Sequence, residues 1–149
     1  MKRQTGFSLI ELLIVVAIIL IIAAIAIPNL IKSKMAANEA SAVGSLRTLN
    51  TAELTYSSTY GTGFTDLTTL GSSGVIDNVL ANGTKSGYTF VATPAGGSGT
   101  SVDPYNTYTS TGTPVSTSTG TRQFCSDESG VIRFETSGTG CGLSSTALQ

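Results

Sequence analysis

From residue 7 to residue 27 the chain is apolar except at Ser8 and Glu11, and residues 12–27 carry no polar side chain at all. A helix over that run spans about 30 Å, the hydrocarbon thickness of a bilayer. Lys2 and Arg3 stand before it, Lys32 and Lys34 after it. The pattern predicts a membrane-spanning helix. An export signal would have a shorter apolar region of about 7–15 residues, ending at a small-residue cleavage site. Ala23-Ala24-Ile25-Ala26 keeps that alternative open. Neither it nor a plain single-pass anchor accounts for Glu11. A carboxylate at the centre of a membrane helix costs about 2.5–3.5 kcal/mol, and less near an end, so such a residue is a functional candidate in need of a positive partner.

Beyond Pro28, which must kink or locally interrupt a helix for want of an N–H, the period changes. Over residues 29–60, Ile31, Met35, Ala42, Leu46, Leu49, Tyr56 and Tyr60 recur mostly three, four or seven positions apart, with Gly44 the sole glycine. Lys32, Lys34, Glu39 and Arg47 read as lying mostly off that stripe. A continuous helix over residues 7–60 would be about 80 Å long, apolar all round in its first half and amphipathic in its second. A coiled coil is the alternative, though the heptads are irregular and rich in alanine.

Gly61-Thr62-Gly63 ends the helix. Residues 64–83 mix apolar and polar positions without a clear period, which suggests a loop with one or two short helical turns. Residues 87–93 alternate, placing Tyr88, Phe90 and Ala92 on one face of a strand. Residues 105–113 alternate Tyr or Ser with Thr, a second strand, and residues 94–104 and 115–121 read as loops. Residues 122–136 form the clearest hairpin: Asp127-Glu128-Ser129-Gly130 suits a three-residue connection with Gly130 left-handed. That register sets Phe124 opposite Phe134 with Ile132 on the same face, and a slip of one residue would separate them. The expected fold class is α+β, a long N-terminal helix whose amphipathic half packs on a small antiparallel sheet of three or four strands.

Composition narrows the functions open to this fold. Charged residues are 11% of 149, about half the usual share, and eight Lys+Arg against nine Asp+Glu leave a net charge of −1. No basic excess draws in nucleic acid, and no nucleic-acid site is evident. With no His and two Cys, neither a Cys/His zinc site nor catalysis by a histidine base is available. No phosphate-binding glycine loop or nucleophile elbow is present. Lys85-Ser86 is the residual case for chemistry, and the chain is read as no enzyme, with no cofactor.

Gly6-Phe7-Ser8-Leu9-Ile10-Glu11-Leu12, after a short basic leader and before an apolar run reaching Pro28, resembles the N-terminal signature of type IV pilins and their pseudopilin relatives. The resemblance covers residues 1–30. It implies that a membrane peptidase cuts between Gly6 and Phe7 and that the new amino terminus, Phe7, is N-methylated. Cleavage would create an α-ammonium on Phe7, and a staggered neighbour's ammonium could then lie against Glu11 in a desolvated pair that fixes register. The implied organisation is a leader over residues 1–6, a membrane and filament-core helix over 7–28 with its kink at Pro28, and a globular domain over 29–149. The implied partners are the chain itself in a helical homopolymer, the inner membrane before assembly, the prepilin peptidase/methylase, and a pilus assembly platform. The expected locations are the bacterial inner membrane for the precursor and an extracellular filament thereafter.

Cys125 and Cys141 both fall outside the apolar run. Two cysteines in an exported domain usually pair, and many type IV pilins have a similar C-terminal disulfide-bounded loop; a free thiol pair is the alternative. Major pseudopilins of type II secretion resemble this architecture and bind calcium through an acidic C-terminal loop. Here Asp103 and Asp127 are better read as turn residues, because a calcium cage needs six to eight oxygens. Asn82-Gly83-Thr84 matches a glycosylation sequon and equally an ordinary turn. The expected function is a structural subunit of a type IV pilus serving adhesion, twitching motility or DNA uptake. The alternatives are a pseudopilin of a type II secretion system and a single-pass membrane-anchored surface-binding domain.

Overall fold

The structure, a computed structural model, describes residues 6–136 and 140–148. The leader up to Thr5, with Lys2 and Arg3, and residues 137–139 and 149 of the tail lie outside the described residues. The chain divides into two units, Met1–Lys34 and Met35–Gln149. Helix α1, Leu9–Tyr60, contributes to both and contains Pro28.

In the second unit α1 packs on a sheet. Ala42, Leu46, Leu49 and Ala52 form one core with Tyr88, Phe90, Ala92 and Phe124, as helical spacing on one side and alternation on the other require. The stripe differs from expectation at its ends and in its polar members. Ile31 and Tyr60 stay exposed, whereas Glu39, Ser45, Asn50 and Glu53 are buried. Glu39, read as off the stripe because of its charge, lies three residues before Ala42 and seven before Leu46, on the buried face. Its carboxylate is taken up there by hydrogen bonds from residues 121 and 122.

Residues 64–83 fold as two short helices, α2 (Leu67–Ser72) and α3 (Asn78–Ala81). Asp66 caps the first by accepting the Thr69 N–H, and Asp77 caps the second by accepting the Leu80 N–H. The connection from α1 is held by Gly63 against Tyr105: the Phe64 N–H donates to the Tyr105 carbonyl, and the Tyr105 N–H to the Thr62 carbonyl, each at 3.1 Å. Gly63 has φ +85°, and a Cβ there would overlap the Tyr105 backbone. No other residue type fits.

The sheet has six antiparallel strands in sequential order, rather than three or four: β1 (Thr84–Lys85), β2 (Tyr88–Ala95), β3 (Thr107–Pro114), β4 (Gln123–Asp127), β5 (Arg133–Glu135) and β6 (Thr146–Ala147). The unforeseen strands, β1 and β6, have two residues each, too few to show an alternating pattern. Ser86 and Gly87, with φ of 51° and 73°, make the turn between β1 and β2. Both central residues at positive φ suit the right-handed twist of a two-residue hairpin. Phe124 pairs with Phe134 as the hairpin pattern predicts, and Gly130 is left-handed at φ 72° with its N–H on the Asp127 carbonyl at 2.9 Å.

Candidate functional site

The first unit is distinguished by what does not cover it. Phe7 and the large side chains from Leu9 to Leu30 are all exposed. The most apolar stretch of α1 has a mean hydropathy of 3.3 with none of it buried, so α1 is long and apolar enough to cross a membrane. A helix apolar on every side needs lipid or other helices around it.

Ser8 directly precedes the first residue of α1, and Glu11 is the third residue in. The Ser8 N–H donates to Glu11 Oε2 at 2.9 Å. This is half of a capping box, in which a glutamate at the third position reaches back to the N–H of the cap residue. Sequence reasoning sought only a positive charge for Glu11 and missed this neighbour. The signal was present in the Ser-x-x-Glu spacing of residues 8–11. The carboxylate also lies at the positive end of the helix dipole. One of its oxygens is therefore occupied locally, and its charge is left without a counter-charge in the described interactions. At Gly6 an added Cβ would meet nothing within 4 Å. Packing among the described residues gives no reason for glycine there.

Cys125 and Cys141 are joined in a disulfide with Cα atoms 5.6 Å apart. The bond ties β4 to the tail, whose strand β6 pairs with β5, and the Leu148 N–H donates to the Ile132 carbonyl at 2.8 Å. Asp127 is engaged in its own turn, accepting the Ser129 N–H at 2.9 Å and bonding the Ser129 hydroxyl. Among the described residues no group of three acidic, Cys or His side chains is placed to hold a metal ion. Lys85 forms an ion pair with Asp77 at 2.9 Å, and Ser86 bonds Ser41. The two residues of the Lys-Ser pair thus have separate structural partners. Asn82 caps the end of α3, and Gly83, at φ 75°, makes the turn that follows.

These features define a class: an α+β protein whose sheet-covered helix shares its chain with an uncovered, membrane-competent apolar segment. Residues 1–27 match the family model described as the prokaryotic N-terminal methylation motif. The chain is 52% identical over 54 residues to the type IV major pilin protein PilA of Myxococcus xanthus, covering 36% of this chain and 24% of that protein. It is 56% identical over 39 residues to the type IV wide pilus major component PilA4 of Thermus thermophilus, covering 26% of this chain and 30% of that protein. The matches thus span less than a third of the length of either curated relative. Together with the motif they make the chain similar to type IV pilins over part of its length.

Proposed function

We propose that this chain is a structural subunit of a type IV pilus, a non-enzymatic protein that polymerises through its apolar N-terminal helix. The observation that carries the reading is the uncovered apolar segment of α1 beginning immediately after Gly6-Phe7, with the single acid Glu11 near its start. In this reading residues 1–6 are a leader, 7–28 the membrane and later filament-core helix, and 29–149 the globular domain. Gly6 is read by the prepilin peptidase/methylase, which accords with the absence of any packing demand on it among the described residues. The methylated Phe7 ammonium of one subunit meets Glu11 of another, and Pro28 adjusts the helix path. The precursor resides in the inner membrane with its domain outside the cytoplasm, and an assembly platform transfers it to the extracellular filament. Adhesion, twitching motility or DNA uptake are the processes such a filament would serve.

Intact-mass analysis of filaments sheared from cells tests this directly. The subunit should begin at Phe7 and carry one extra methyl group, and Gly6→Val should leave the leader attached. Surface material beginning at Met1, or at Ala24 or later, would show that the chain is not processed as a pilin.

A further inference from the structure

Two glutamates on the buried face of α1 receive opposite treatment. Glu39 accepts from the Thr121 N–H, the Thr121 hydroxyl, the Arg122 N–H and the Arg122 guanidinium. Glu53, at 0% exposure, accepts one hydrogen bond, from the Thr65 N–H to Oε2 at 2.9 Å. Its other oxygen, Oε1, is buried with no hydrogen-bond partner. An ionised carboxylate removed from water needs a cation or several N–H donors, and a neutral carboxyl group does not.

The position of Glu53 gives this consequence. Thr65 belongs to the connection over residues 61–66, which leads from α1 to α2. On its far side that connection is fixed to Tyr105 by the two backbone bonds already described and by the Phe64 ring, 4.7 Å from the Tyr108 ring. On its near side, Glu53 is the side chain of α1 that bonds its backbone. The charged and titratable groups around the site offer no compensation. Asp66 on the connection itself is of like charge and acts on Glu53. From β3 comes the Tyr108 hydroxyl, which donates to Asn50 Oδ1 at 2.9 Å. Asp127 and Glu128, at the end of β4, act on Tyr108 and are acidic as well.

We propose that Glu53 is a proton-operated latch: with its carboxyl neutral it holds the 61–66 connection on α1, and when it ionises water enters and the connection loosens while the sheet stays formed. Burial pushes the Glu53 carboxyl up to about 7, with the Thr65 N–H opposing and Asp66 adding to the rise. The folded chain therefore keeps this proton to higher pH than the unfolded chain does. Stability from the neutral form is complete below the ordinary glutamate range, is lost as pH rises through about 7, and does not return at higher pH.

Amide hydrogen exchange on the full chain in detergent micelles, corrected for the intrinsic pH dependence of exchange, reads the latch directly. Between about pH 5.5 and 8.5, peptides covering residues 61–66 should lose protection by roughly tenfold or more, one pKa unit corresponding to a factor of ten. Peptides from β2 and β3 should not. Glu53→Gln, neutral at every pH, should show no such change. Asp66→Asn, which keeps a good helix cap, should move the wild-type midpoint to lower pH. Equal behaviour of wild type and Glu53→Gln, or constant protection in the wild type, overturns the proposal. If Glu53→Gln does not fold, the Asp66→Asn midpoint decides, and a midpoint that stays in place overturns it.

Discussion

Arg122 donates its Nε–H to Glu39 Oε2 at 2.8 Å across 83 positions of sequence, and its guanidinium stands 5.4 Å from the ring centres of both Phe124 and Phe134. A single side chain thereby fastens α1 to the hairpin from the polar and the aromatic side at once. Arg122→Lys would keep the charge but lose the planar fork and its stacking. With the Arg122 side chain 36% exposed, a loss of about 1–3 kcal/mol in chemical denaturation is expected.

The same pair sets an acid limit. Burial works to raise the Glu39 carboxyl, but the Thr121 N–H and the Arg122 guanidinium outweigh it and hold the group below its ordinary value. A depressed carboxyl contributes stability above the unfolded pKa and loses it as pH falls through the folded one. The stability difference between wild type and Glu39→Gln should therefore be full near pH 6 and shrink below about pH 4. Denaturation curves across that interval check it. A difference that does not change with pH would mean that Glu39 acts by shape alone.

The tail depends on a covalent tie. Cys125 and Cys141 close a loop of sequence separation 16, worth roughly 3 kcal/mol in the chain-entropy model. Reductant, or Cys125→Ser with Cys141→Ser, should lower the melting temperature of the full chain by about 6–12 °C. β6 and Leu148 should be the first to lose exchange protection. Millimolar chelator should have no effect, because the Asp127 carboxylate is occupied by its own turn. A drop with chelator and none with reductant would favour a calcium-binding secretion pseudopilin.

Where the sequence was legible, the reason is periodicity sustained over several residues. The α1 stripe, the inward triplet Tyr88, Phe90, Ala92 and the Phe124–Phe134 register all follow from periods near four or of two. The edge strands β1 and β6 are held by pairing with longer neighbours and by the disulfide, and two residues cannot announce that. Glu39 misled for another reason. Charge argues for solvent, yet its position lies on the same helical face as Ala42, Leu46 and Leu49, and Glu53 further along is buried as well. What buries Glu39 is an arginine far along the chain, and a local pattern carries no trace of it. For Glu11 the sequence argument turned on charge, and the nearby Ser8 that shares its hydrogen bond went unread.

That hydrogen bond makes the role of Glu11 separable by two substitutions. Glu11→Ala removes both the cap and the charge; Glu11→Gln retains an oxygen that can accept the Ser8 N–H and removes the charge alone, since glutamine also serves in a capping box. Loss of a cap costs about 0.5–2 kcal/mol and frays the start of the helix. Loss of one member of a desolvated ion pair costs about 3–5 kcal/mol, because the remaining charge, in the proposed filament a neighbour's Phe7 ammonium, would stay buried without compensation. Both variants should insert into the membrane at least as easily as the wild type, and both should leave the fold of residues 35–149 unchanged. If the charge drives assembly, Glu11→Gln filaments should be nearly as scarce as Glu11→Ala filaments, although Phe7 is cut free and methylated in each. Filaments of Glu11→Gln at wild-type yield, with those of Glu11→Ala reduced, would instead assign Glu11 to the helix cap. Uncut or unmethylated chain in either variant would make it a recognition element for the processing enzyme. Filament yield measured beside the N-terminal mass of the subunit distinguishes the three.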